Sequence, residues 1–127
     1  AGADRHRRGL YTFWRRTATF VQFAGFDAPS REPCVARRQR TNTPLQALSG
    51  LNDPAAWEAA QALGKRMQDA EGDEHAKLAL GFRLCTSRWP DEAELALLAD
   101  ALAREDAAMR WTLVANALLN LDEALTR

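Results

Sequence analysis

From residue 44 onward, apolar residues recur at helical spacing; before it they follow no sustained period. The most regular stripe is Trp111, Val114, Leu118, Leu121 and Leu125, in alternating steps of three and four. It predicts a last helix over about 107–125 with Asp106 as its cap. Leu95, Leu98 and Leu102 predict a helix over 92–104, which Asp91 and Glu94 open as a capping box after the break at Trp89-Pro90. Leu78, Phe82 and Cys85, flanked by Leu80 and Leu84, predict a helix over 74–86, with Gly72 ending the preceding element and Asp73 as cap. Trp57, Ala60, Leu63 (or Gly64) and Met67 share one face of a helix over about 54–70, with Asp53 at the N-cap and Pro54 at the first position.

The stretch from Arg37 to Leu48 divides the chain. Thr43, Pro44 and Gln46 form a helix start: the Thr43 hydroxyl caps, Pro44 loses no hydrogen bond, and Gln46 stands where a capping box needs it. Leu45, Leu48 and Leu51 then give an apolar stripe over 44–51. Upstream, Leu10, Phe13 and Trp14 predict a short amphipathic helix over roughly 8–18, with Arg15 and Arg16 at its C-terminal end. Residues 19–42 show no period: 19–23 reads as a short strand without a partner, and 26–30 as a turn, because Pro29 biases Ala28 away from helix. Phe20, Phe23 and Phe26 are expected to pin this connection to the core. Connections this long inside a small domain often carry function. The expected architecture is all-α, a compact multi-helix domain of about six helices with a long ordered N-terminal loop, filling 1–127 as a single domain. The chain also reads as the C-terminal fragment of a larger multidomain protein.

Charge sharpens this division. Residues 1–50 hold nine Arg and three Asp or Glu; residues 51–127 hold eight Lys or Arg and fourteen Asp or Glu, so a formal +6 faces a formal −6. Either the halves neutralise each other or the basic half takes an external polyanion. Of the seventeen basic residues fifteen are Arg, the side chain suited to bidentate carboxylate, phosphate or sulfate recognition. Arg37, Arg38 and Arg40 precede a helix N-terminus that carries partial positive charge, so they need anions, supplied by the protein or by a ligand. Cys34 and Cys85 make either one bridge or two small buried hydrophobes. No stretch is long enough to span a membrane, and no signal peptide is visible.

Candidate chemistry is sparse. Without Cys-x-x-Cys-His the fragment binds no covalent haem, and no cofactor is expected. His6 and His75 stand far apart, with no ligand spacing for a metal and no local support for a triad with Ser30, Ser49 or Ser87. No glycine loop cradles a phosphate. Arginines interspersed with apolar residues argue against nucleic acid. One constellation has chemical content: Asp27, Arg31, Glu32, Arg37, Arg38 and Arg40, followed by Asn42. As a ligand site it binds a carboxylate, sulfate or phosphate, with Asp27 or Glu32 as acid or base on a bound sugar. As scaffolding, the carboxylates accept from the arginines and lock the loop. Trp57 and Trp111 lie on core stripes; Trp89, in a turn, is the surface aromatic.

Three further stretches carry a resemblance. They are Arg7 to Thr17 (Arg-Arg-Gly-Leu-Tyr-Thr-Phe-Trp-Arg-Arg-Thr), Phe26 to Cys34 (Phe-Asp-Ala-Pro-Ser-Arg-Glu-Pro-Cys), and Arg37 to Pro54 with Thr41-Asn42-Thr43-Pro44-Leu45-Gln46-Ala47-Leu48 at its centre. The tail adds Phe82-Arg83-Leu84, Arg88, Pro90 and Ala117 to Glu123. With these the chain resembles the C-terminal part of a planctomycete-specific domain of unknown function, found in large bacterial proteins that often carry a cytochrome c-like haem domain. It departs from that pattern at 17–23, where the family has a proline run. The resemblance implies an extracytoplasmic, periplasmic setting and a multidomain parent whose other domains, a haem domain among them, are the partners. It implies no activity. Two functions therefore stand: a non-catalytic structural or interaction module, or part of an enzyme or binding site for acidic or sulfated polysaccharide that uses the arginine cluster.

Overall fold

The computed structural model describes residues 9–15, 18–30, 33–37, 39 and 41–125. Contacts divide the chain into two units, residues 1–41 and residues 42–127.

Among its described residues the second unit holds six helices: α2 (Pro44–Asn52), α3 (Pro54–Gln68), α4 (Glu74–Thr86), α5 (Glu92–Arg104), α6 (Arg110–Leu119) and α7 (Asp122–Leu125). Their starts follow local side-chain chemistry. Thr43 Oγ1 accepts from the Gln46 N–H while Gln46 Oε1 accepts from the Thr43 N–H, a complete capping box that buries Gln46. Asp53 caps α3 through the N–H groups of Ala55 and Ala56, at 2.7 and 3.3 Å. Asp73 caps α4, and Asp91 with Glu94 forms the second capping box at α5. Gly72, at φ +109°, takes the left-handed conformation that the turn between α3 and α4 requires.

The core is the meeting of the predicted faces. Met67, Leu78, Phe82, Leu102, Trp111, Val114, Ala115 and Leu118 are buried together, with Leu63, Cys85, Leu95, Leu98, Ala99 and Leu121 packed against them. The α3–α6 pair is the main seam, and Gly64 makes it possible by letting the α6 backbone approach at Trp111 and Thr112. Among the described residues there is no strand beyond one isolated bridge, and no helix is long and apolar enough to cross a membrane.

Two expectations change in this unit. The helix over 107–125 starts at Arg110, ends at Leu119 and resumes as α7. Asp106 contributes its backbone carbonyl, which accepts from Met109 and Arg110, rather than a side-chain cap. The break falls at Asn120, whose Nδ2 donates back to the Asn116 carbonyl at 2.8 Å, a local bond that competes with the helix. The stripe Leu45, Leu48, Leu51 does not enter the core: these leucines are 74, 57 and 47% exposed, and α2 buries only Gln46.

The first unit has no fully buried side chain among its described residues. The helix expected over 8–18 is instead a 3₁₀ turn, Gly9–Tyr11, and an antiparallel bridge between Arg15 and Ala18; residues 8, 16 and 17 lie outside the described residues. A helix of that length is marginal alone, and stacking Trp14 on Phe23, with ring centroids 5.1 Å apart, requires the chain to double back. The segment expected as a strand is a short helix, α1 (Val21–Gly25). An unpartnered strand leaves its backbone groups unsatisfied, whereas a helical turn closes its own hydrogen bonds. Phe20 packs edge-on against Phe23, so these aromatics form a small cluster within this unit.

Candidate functional site

The expected site residues reach different fates. Arg31, Glu32, Arg38 and Arg40 lie outside the described residues. Asp27 sits at the turn after α1 in a left-handed conformation, φ 58°. One of its carboxylate oxygens accepts from both the N–H and the hydroxyl of Thr41, each at 2.7 Å. This pins the two ends of the long connection to each other. Arg37 is exposed and has no ion-pair partner among the described residues. It lines a cavity of about 400 Å³ together with Asp27, Pro29, Val35 and Gln39. Asn42 belongs to the other unit, where its Nδ2 donates to Asp122 Oδ1 of α7 at 2.7 Å. Its amide meets one of the protein's own carboxylates.

The densest polar arrangement in the described residues lies elsewhere, at the α4–α5 turn. Thr86 is buried and donates to the Phe82 carbonyl at 2.9 Å. Ser87 then takes a left-handed φ of 63°, which turns the chain sharply and aims Arg88 across the end of the bundle. Arg88 Nη1 and Nη2 donate to the two oxygens of Glu94 at 2.8 and 2.6 Å. Its Nε lies 3.0 Å from both oxygens of Glu123, and Nη2 reaches Glu123 at 2.9 Å. Nη1 also reaches the Trp89 carbonyl at 3.3 Å, and the guanidinium lies 4.7 Å from the centre of the Phe82 ring. All three guanidinium nitrogens are engaged internally, which leaves no nitrogen dedicated to an external anion.

Charge pairing shifts these groups in opposite directions. Hydrogen bonds from Arg88, then the Asp91 N–H, hold Glu94 down at about 2. Glu94 and Glu123 push Arg88 further up. A carboxyl this acidic stays ionised near neutral pH and donates no proton there. Burial pushes the Cys85 thiol up; Cys34 is exposed, and both are free. Phe82, Leu97, Leu98 and Leu121 line a cavity of about 380 Å³ beside the clamp, with Arg88, Glu94, Asp122 and Glu123 at its edge. Trp89 is 59% exposed, as expected of a turn aromatic, but the Arg83 guanidinium stacks over it at 4.4 Å. Among the described residues no three His, Cys, Asp or Glu side chains are grouped to hold a metal ion.

Glu94 was legible as a capping residue. Its partnership with Arg88, and the reach of Arg88 to Glu123 thirty-five positions away, was not. The one hint is that Arg88 and Glu123 both fall in the tail stretches of the resemblance, which the fold brings into contact.

Fold and site together define an all-helical chain in which, among the described residues, Arg88 and Asn42 are engaged by the protein's own carboxylates. The chain belongs to the PSD1 family, proteins of unknown function (DUF1553), whose model matches residues 1–102. No curated protein and no solved structure matches it. Helices α6 and α7 lie beyond the matched residues, yet α6 supplies Trp111, Val114, Ala115 and Leu118 to the core.

Proposed function

We propose that this chain is a non-catalytic structural or interaction module, the C-terminal part of a larger extracytoplasmic protein that also carries a cytochrome c-like haem domain. The α2 face carries this reading. Leu45, Leu48 and Leu51 project into solvent from a helix whose start is secured by a capping box. A contiguous exposed apolar stripe is the kind of surface that a partner covers in an interaction module. The closed polar groups support it: Asn42 is engaged by Asp122, and Arg88 by Glu94 and Glu123. The test is calorimetric titration of the chain with the haem-bearing part of its parent. Binding that disappears in the Leu45→Asp, Leu48→Asp double variant, with its thermal melt unchanged, is the expected result. Absence of binding by the wild-type chain refutes the reading.

Arg37 favours a second reading, a site for acidic or sulfated polysaccharide. Its exposed guanidinium shares a cavity with Asp27. A ligand at about 100 times its Kd adds roughly 2.7 kcal/mol to stability. A saturable rise in melting temperature with sulfated oligosaccharides or uronic acids, lost in Arg37→Ala, supports this reading; a flat titration excludes it.

A further inference from the structure

The end of the chain carries two descriptions that disagree. Its apolar register is that of one continuous helix: Leu121 follows Leu118 by three and Leu125 follows by four, in phase with Trp111 and Val114. Its backbone is bent at Asn120, where φ is −99° and ψ 6°, and the helical ladder gives way to a long Leu121 N–H to Leu118 carbonyl bond of 3.4 Å. No proline or glycine stands between Leu118 and Leu125 to force the bend. Two side chains and one glycine from elsewhere in the unit hold it instead. Arg88 binds Glu123, Asn42 binds Asp122, and Gly50 of α2 leaves the space into which Asn120 Oδ1 points. That oxygen is buried and has no hydrogen-bond donor among the described residues, so the bend retains an unsatisfied acceptor.

We propose that the α6–α7 corner is a latch with two arrangements: the bent one described above, and a straight one in which α6 runs on through Asn120 to Leu125. Straightening keeps Leu121 on the core face, because the stripe is in phase on both sides of the joint. It replaces the long 3₁₀ bond with regular i to i−4 bonds and frees the Asn120 carboxamide. What it loses is the pair of polar ties. The Arg88–Glu123 tie is half-exposed, with side chains 42 and 35% accessible. A competing acidic group on a partner surface can therefore take Arg88 from Glu123. Release moves Asp122 and Glu123 from the 380 Å³ cavity that Phe82, Leu97 and Leu98 also line, and so widens access to it.

The test is backbone NMR on the full chain. Carbon secondary shifts and amide exchange are read at residues 117–125 in the wild type, in Glu123→Ala and in Asn120→Ala. Glu123→Ala leaves the Arg88–Glu94 clamp in place, and Asn120→Ala removes the side chain seated at the bend, so neither touches the buried core. The wild type is expected to show helical shifts interrupted at 120–121. Both variants are expected to show an unbroken helical run from 110 to 125, with protection at 120–122 rising about tenfold or more. Loss of helical shifts over 121–125, the sign of simple fraying, overturns the proposal. So does an interruption that persists unchanged in both variants.

Discussion

Gly64→Ala puts the α3–α6 seam to a test in which helix propensity and packing have opposite signs. In an exposed helix the exchange stabilises by about 1 kcal/mol, because alanine is the better helix former. Gly64 is buried, and a Cβ placed there lies 2.8 Å from the Trp111 carbonyl carbon and oxygen and 2.9 Å from the Thr112 nitrogen. These are backbone atoms of α6, so no rotamer change relieves the contact. The helix must retreat by about 0.6 Å, the gap between 2.8 Å and an ordinary contact near 3.4 Å. Trp111, Val114, Ala115 and Leu118 retreat with it, so the cost belongs at the upper end of the roughly 1–3 kcal/mol typical of overpacking. After the propensity gain, a net loss of about 2 kcal/mol remains. For a domain near this size it lowers the melting temperature by about 8 °C. Urea and thermal unfolding followed by circular dichroism measure it. Ala62→Gly, an exposed change two residues upstream, serves as the propensity control, with an expected loss of about 1 kcal/mol. A Gly64→Ala protein as stable as the wild type, or more so, refutes the close-approach account of the seam.

Three further outcomes are expected. Met67→Ala empties a fully buried position against α4, and urea unfolding should show a loss of about 2–5 kcal/mol. Thr43→Ala removes half of the α2 capping box; it should cost about 1 kcal/mol and increase amide exchange in the first turn of α2, and unchanged exchange there counts against the cap. Glu94 is held at about 2 in the fold against an ordinary 4.5, so its contribution is present above pH 4.5 and fades as pH falls toward 2. In Glu94→Gln the melting temperature should therefore decline less steeply than the wild type over that window; parallel declines contradict the clamp.

Legibility followed the range of the interactions. Thr43 with Gln46, Asp53 with Pro54, and Asp91 with Glu94 act within one turn, so the starts of α2, α3 and α5 could be read from neighbours alone. The core faces of α3, α4 and α6 were legible because burial repeats with the helical period. The N-terminal segment was not. Its pattern suggested a helix over 8–18 and a strand over 19–23, whereas the fold stacks Trp14 on Phe23. The candidate site was legible only as a concentration of arginines. That Asn42 turns to Asp122, and that Arg37 shares a cavity with Asp27, depends on where the chain returns.

By itself, then, the sequence determined an all-helical domain, most of its helix boundaries and most of its core-facing residues, because caps and periodicity are local physics. Tertiary structure alone decided that the α2 stripe stays exposed, that the last helix bends at Asn120, and that Arg88 joins Glu94 to Glu123. Those outcomes depend on side chains from separate elements competing for the same space and the same charges. No one-dimensional pattern encodes which of them meet.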